Sequence, residues 1–177
     1  MKRLISFLVF TFLLLFASLG HASGLPESEL ALGPVRVKQT LGQVEAVLGK
    51  HSNMKDNVFP FGPELQIHIV SYYFGESFEV IGRKIATTSW PTSELPVVGM
   101  TCHTTDYATP SGITMGDNFA KVTNKFGQGE VIPPANLSHP LPDCTYYSYA
   151  VEHTAYTMSF AVDAQNIIQL ISIREEV

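Results

Sequence analysis

The chain reads as an α+β protein: two tandem repeats, each a helix followed by antiparallel strands, with the helices packed on one face of the sheet, behind an N-terminal signal peptide. Three observations predict this. Residues 35–49 align without a gap on residues 113–127, seventy-eight positions further on. Each segment holds a helical stripe ending in Leu48 or Phe126 and then a glycine stop. Each also leads into aromatic stretches that alternate in polarity. A unit of that size cannot bury its own apolar face, so a second copy stacked against the first is expected. The boundaries follow: 1–22 signal peptide, 24–104 first repeat, 105–177 second repeat.

The elements can be justified in order. Lys2 and Arg3 precede an apolar run over residues 4–16, and small residues lead to a cleavage point after Ala22. The run spans about thirteen residues against the roughly twenty that cross a bilayer, which marks a secretory signal peptide. Residues 24–34 are a punctuated lead-in with a short helical turn. Over 39–48, Leu41, Val44, Val47 and Leu48 recur at spacings of three and four, an amphipathic helix stopped by Gly49. Residues 51–63 read as a polar, Pro-containing loop. Residues 67–74 and 78–85 are strands joined by a Gly75 turn, 90–96 a loop, and 97–103 a further strand. After a turn-rich join, Asp117 is placed to cap a second helix with Phe119, Val122 and Phe126 on its inner stripe. Residues 130–142 are a Pro-rich loop. In 145–151, Tyr147, Tyr149 and Val151 oppose Tyr146, Ser148 and Ala150. In 155–162, Tyr156, Met158, Phe160 and Val162 oppose Ala155, Thr157, Ser159 and Ala161, as a sheet covered on one face requires. A turn at 163–166 delivers the last strand, 167–173.

Composition restricts the partners. Loss of Lys2 and Arg3 with the signal leaves 9 basic residues of the original 11 against 16 acidic ones. The mature chain is acidic and has no Lys/Arg cluster, which argues against nucleic acid or an anionic membrane and for a basic or neutral partner surface. No cysteine stands near the cleavage point to carry a lipid, so no membrane anchor is expected after cleavage. Cys102 and Cys144, in an oxidising compartment, are expected to form a disulfide. It would close about forty residues and contribute on the order of 3–4 kcal/mol. The alternative is a reactive Cys102 activated by His103, but adjacent strand residues point to opposite faces.

Chemistry-bearing motifs are scarce. The mature histidines, His51, His68, His103, His139 and His153, show no metal-ligand spacing. His139, Asp143 and Cys144 fall within six residues, but in a Pro-rigid loop that the disulfide would tie down. No nucleophile elbow occurs, and Gly127-Gln-Gly129 follows a helix where a phosphate loop would precede one. No catalytic residue, metal or cofactor is assigned.

Gly112-Ile-Thr-Met-Gly-Asp117, then Val122 and Phe126-Gly127, the Tyr147/Tyr149 strand and the closing 167–173 strand resemble the superfamily of the β-lactamase inhibitor protein and the SmpA/OmlA (BamE-like) envelope proteins. The resemblance spans most of residues 30–175 and favours the tandem, inhibitor-type arrangement. It implies helices on one face of an antiparallel sheet, with the other face free to bind protein, and it implies no active site. No segment identifies a β-lactamase as target. The expected function is a secreted or periplasmic, non-catalytic module that binds another envelope or extracellular protein. Its candidate surface is Tyr72, Phe74, Trp90, Tyr147, Tyr149 and His153, aromatics of the type enriched at interfaces. The rival expectation is a small enzyme or ligand-binding protein with a pocket between the repeats near His103, Asp106 and His153.

Overall fold

The computed structural model describes residues 24–88, 90–137 and 140–176. The expected signal peptide, residues 1–22, and His139 fall outside them. After a two-stranded ribbon, β1 (Ala31–Leu32) with β2 (Val35–Arg36), comes helix α1 (Leu41–Leu48). Four strands follow: β3 (Asn53–Phe61), β4 (Leu65–Phe74), β5 (Phe78–Ala86) and β6 (Val97–Cys102). Helix α2 (Ala120–Phe126) then precedes β7 (Glu130–Ile132), β8 (Thr145–Ala150), β9 (Tyr156–Val162) and β10 (Ile168–Glu175). β3 to β10 form one antiparallel sheet in the order β3-β4-β5-β6-β10-β9-β8-β7.

The expected α+β class with two helix-plus-strand repeats is therefore overturned. The protein is mostly β, one eight-stranded sheet beside a two-stranded one. The helices have eight and seven residues, about 12 Å and 10 Å of helix, too short to roof so wide a sheet. The two-stranded ribbon and irregular chain complete the roof: Leu32 and Val35 from the ribbon, Leu25 and Leu30 from the lead-in, Leu95 from the β5–β6 connection, and Ile113 from the join are all buried in the main core.

Local chemistry explains each helix. Thr40 caps α1 through a reciprocal pair, its Oγ1 accepting from Gln43 N–H at 3.3 Å while Gln43 Oε1 accepts from Thr40 N–H at 2.9 Å. Both exposed amides of the first turn are thus satisfied. Leu41 and Val44 are buried beneath it. Gly82 on β5 lets the helix seat, because a Cβ there would meet Leu41 Cδ1 at 2.8 Å and Leu95 Cβ at 3.0 Å. Asp117 does not cap α2 as expected. Its carboxylate instead accepts from Thr114 N–H at 2.9 Å and Lys121 Nζ at 2.8 Å, and Asn118 Oδ1 takes the Ala120 amide at 3.0 Å. Burial works against the Asp117 charge, but the Lys121 ammonium and the Thr114 amide prevail and hold its carboxyl below the usual range.

Two bulges shape the sheet. Between β5 and β6 the register steps from Ile81 opposite Gly99 to Gly82 opposite Val97, so Val98 is the extra residue. Between β10 and β9 it steps from Ile168 opposite Val162 to Leu170 opposite Ala161, so Gln169 is the extra one. A bulge puts two residues against one and restarts the alternation. Val97 and Met100 consequently both enter the main core, as do Ile168 and Ile171.

Candidate functional site

Register sorts every strand residue to one of two faces, since directly opposed residues point the same way. The line Phe78–Cys102–Ile171–Phe160–Tyr147 crosses five strands on the roofed face. The line Asn53–Tyr73–Glu79–Thr101–Ser172–Ser159–Ser148–Glu130 crosses all eight on the other. Among the described residues no α-helix packs on this second face. At its β3–β5 corner Phe59, Phe61, Leu65 and Ile85 are 49%, 51%, 39% and 44% exposed. Phe59, Ile67 and Ile85 are directly opposed across the three strands, and Phe61 faces Leu65 beside them.

The opposite half of this open face differs. Residues following β7 turn through a short 3-10 helix, Pro134–Asn136. They bring Leu137 and Leu141 against a second, small core of Tyr146, Ala161 and Leu170. The Leu141 amide donates to the Tyr146 hydroxyl at 2.8 Å, fixing the loop. Between this loop and the exposed end of β10 lies a groove of about 640 Å³, floored by Thr101, Ser172, Ser159 and Ser148.

The structure places five of the six expected surface residues on the roofed side. Tyr72 is buried, stacked on His51 at 4.1 Å, with its hydroxyl donating to Thr92 Oγ1 at 3.2 Å. Tyr149 is buried too, and its hydroxyl donates to the Gly127 carbonyl at 3.0 Å. Burial pushes the Tyr149 phenol up to about 12. Tyr147 stacks on Phe119 at 4.5 Å, Phe74 packs on the main core, and Trp90 packs there with Lys84 Nζ 3.1 Å from its ring centre. Only His153 is exposed, at positive φ in the β8–β9 turn. The aromatic surface expected from these residues is thus core packing, and the open face displays Phe59, Phe61, Leu65 and Ile85 in their place.

The expected disulfide is also corrected, because both cysteines are free. Cys102 belongs to the main core, whereas Cys144 packs against the small core on the other face. β10 and β9 separate β6 from β8, which puts about 14 Å between their strands. A disulfide tolerates no more than roughly 7 Å between Cα atoms. Burial pushes the Cys102 thiol up, against an opposing effect of the Thr104 backbone, and its Sγ donates to the Thr104 carbonyl at 3.3 Å.

The rival pocket does not assemble either. His103 leaves β6 at the end where Cys102 opposes Ile171, while His153 precedes the end where Tyr156 opposes Glu175. Asp106 is engaged by Thr104 at 2.9 Å. Two histidine–carboxylate pairs stand elsewhere, His51 with Glu45 and His68 with Asp56, each at 2.8 Å. Among the described residues no group of three or more His, Cys, Asp or Glu side chains is placed to hold a metal ion, and no helix is long and apolar enough to cross a membrane.

No protein-family model matches the chain, and no curated protein does. Among solved structures, a DUF4309 family protein, YjgB from Bacillus subtilis subsp. subtilis str. 168, overlaps with a TM-score of 0.43 at 12% identity, over 81% of this chain and 83% of that one. A likeness at that level defines neither a family nor an activity.

Proposed function

We propose that the protein is an extracytoplasmic, non-catalytic binding module that engages another protein through the open face of its sheet. One observation carries this reading. Four large apolar side chains, Phe59, Phe61, Leu65 and Ile85, are gathered on an uncovered face at 39–51% exposure. Apolar side chains grouped at one corner of a face, with polar groups beside them, mark an interaction site more often than a folding defect. The resemblance of residues 112–127 and 145–173 to the inhibitor and SmpA/OmlA superfamily supports the same reading, since it implies a sheet face free for protein. The extracytoplasmic address rests on the sequence of residues 1–22.

The test is capture of a partner from the native envelope by the immobilised mature chain, followed by affinity measurement with the purified partner. Phe59→Ala/Phe61→Ala should weaken binding at least about tenfold, as expected for anchor residues worth more than 1 kcal/mol each. Val47→Ala on the exposed side of α1 should leave it unchanged. Equal affinity for all three proteins would reject the open face as the binding surface.

A further inference from the structure

The groove in the other half of the open face has a chemistry of its own. Thr101, Ser172, Ser159 and Ser148 are directly opposed across β6, β10, β9 and β8. Their spacing is that of neighbouring strands, about 5 Å, so four hydroxyls stand in file. Thr101 Oγ1 and Ser172 Oγ, both buried, are 3.3 Å apart and share one bond. Ser159 and Ser148 line the groove. The file ends in carboxylates on both sides: Glu79 opposes Thr101, and Glu130 opposes Ser148. Glu176 stands at the β10 end of the groove, where it accepts from the Thr157 hydroxyl at 2.8 Å, and Leu137, Tyr146 and Leu170 give the opposite, loop side an apolar stretch. Cations are fewer. Arg83 is already paired with Glu175, which leaves Arg174 at the rim.

We infer that this groove receives an arginine or lysine side chain of the protein partner. The cation sits among Glu130, Glu176 and the hydroxyl file, and the methylene stem lies against Leu137, Tyr146 and Leu170. Each part of such a side chain meets its complement. Hydroxyls and carboxylates accept from guanidinium or ammonium, and the bonds to carboxylate are charge-assisted. Long basic side chains lay their stems on apolar surface while the head stays among polar groups. An anion in the groove would face Glu130 and Glu176. The whole chain carries 16 acidic against 11 basic residues, which draws basic surfaces towards it. This inference rests on the protein-binding reading and adds the chemistry of what is bound.

The test uses the full mature chain, isotope-labelled for NMR, and a capped Gly-Arg-Gly-Arg-Gly peptide. Two companion peptides replace arginine with citrulline, which keeps the shape and removes the charge, or with glutamate. The arginine peptide should shift the amides of Glu130, Tyr146, Ser148 and Ser159. It should bind at least about tenfold more tightly than the citrulline peptide, the value of one charge-assisted bond. Glu130→Gln/Glu176→Gln, both at exposed positions, should bring the arginine peptide to the citrulline level, and rising salt should do the same in the wild type. Equal binding of the arginine and citrulline peptides, shifts scattered over the acidic surface, or no groove shift overturns the inference. Phe59→Ala/Phe61→Ala separates it from the broader reading, because that variant should lose the partner and keep the peptide. Partner binding that survives Glu130→Gln/Glu176→Gln but not Phe59→Ala/Phe61→Ala sinks the groove alone.

Discussion

The segments that follow the two helices make opposite use of the same open face. After α1 the chain enters β3 and stays extended for nine residues, paired with β4 along its whole length and exposed throughout. After α2 it pairs with β8 for only three residues, then leaves the sheet through Pro133 and Pro134 and folds back across it. One route leaves Phe59 and Phe61 bare. The other covers Tyr146 and Leu170 and raises a wall for the groove. Both β3 and β7 are edge strands, so a single proline such as Pro60 is tolerated, whereas the adjacent Pro133 and Pro134 remove two successive amides, one of which would have to face β8, and end the ladder.

That contrast can be broken most sharply by paired truncations. Leu170→Ala in the small core should cost about 2–5 kcal/mol by chemical denaturation, while Phe59→Ala should stay within about 0.5 kcal/mol. Similar losses at both sites would mean that the β3–β4 corner is buried in solution. Next in size is the seating of α1. Gly82→Ala forces Leu41 and Leu95 apart and should lower stability by about 1–3 kcal/mol, whereas Gly75→Ala, in a turn open to solvent but at positive φ, tests backbone strain alone. A smaller effect separates the two halves by pH. Burial raises the folded Tyr149 phenol to about 12, above the ordinary tyrosine value of about 10. The stability it confers is complete below pH 10 and disappears as pH rises through about 12, because the unfolded chain loses the phenol proton first. Thermal melts should fall in that window, and Tyr149→Phe should flatten the fall. Tyr107 and Tyr156 are raised in the same direction, also by burial, so the fall should not vanish. The smallest change is at the cap: Thr40→Ala should cost about 1 kcal/mol. Reduction with a thiol reagent should leave the melting temperature unchanged, in keeping with free Cys102 and Cys144.

Legibility followed the number of faces that each strand buries against the main core. β9 was readable because Met158 and Phe160 are fully buried while Thr157 and Ser159 are only half-buried on the other face. The two sides of β8 and the turn into β10 were readable for related reasons. β3 was not. Its residues, Asn-Met-Lys-Asp-Asn-Val-Phe-Pro-Phe, are exposed on both faces, so no alternation was selected, and Pro60 argued for a loop. The inward turn of Tyr72 was hidden because β4 is apolar on both sides, with Ile67 and Ile69 opposite in direction to Val70 and Tyr72. The cysteine pairing failed for a different reason. Compartment and parity are blind to which face each thiol occupies, and only the β6–β10 pairing puts two strands between them. The hydroxyl file was equally invisible, since Thr101, Ser148, Ser159 and Ser172 come from four strands and align only once their register is known.

Val98 and Gln169, the supernumerary residues of β6 and β10, give the two innermost strands an unusual latitude. Excising either one would leave Val97 followed by Gly99, or Ile168 followed by Leu170, in unbroken alternation, with Met100 and Ile171 still pointing inward. Substitution at these two positions should be easily tolerated, since both are only partly enclosed, and deletion should remove the local bend while keeping the core residues inside. Drift in chain length is therefore expected at these two points of the midline as well as at the turns and the Pro-rich segment.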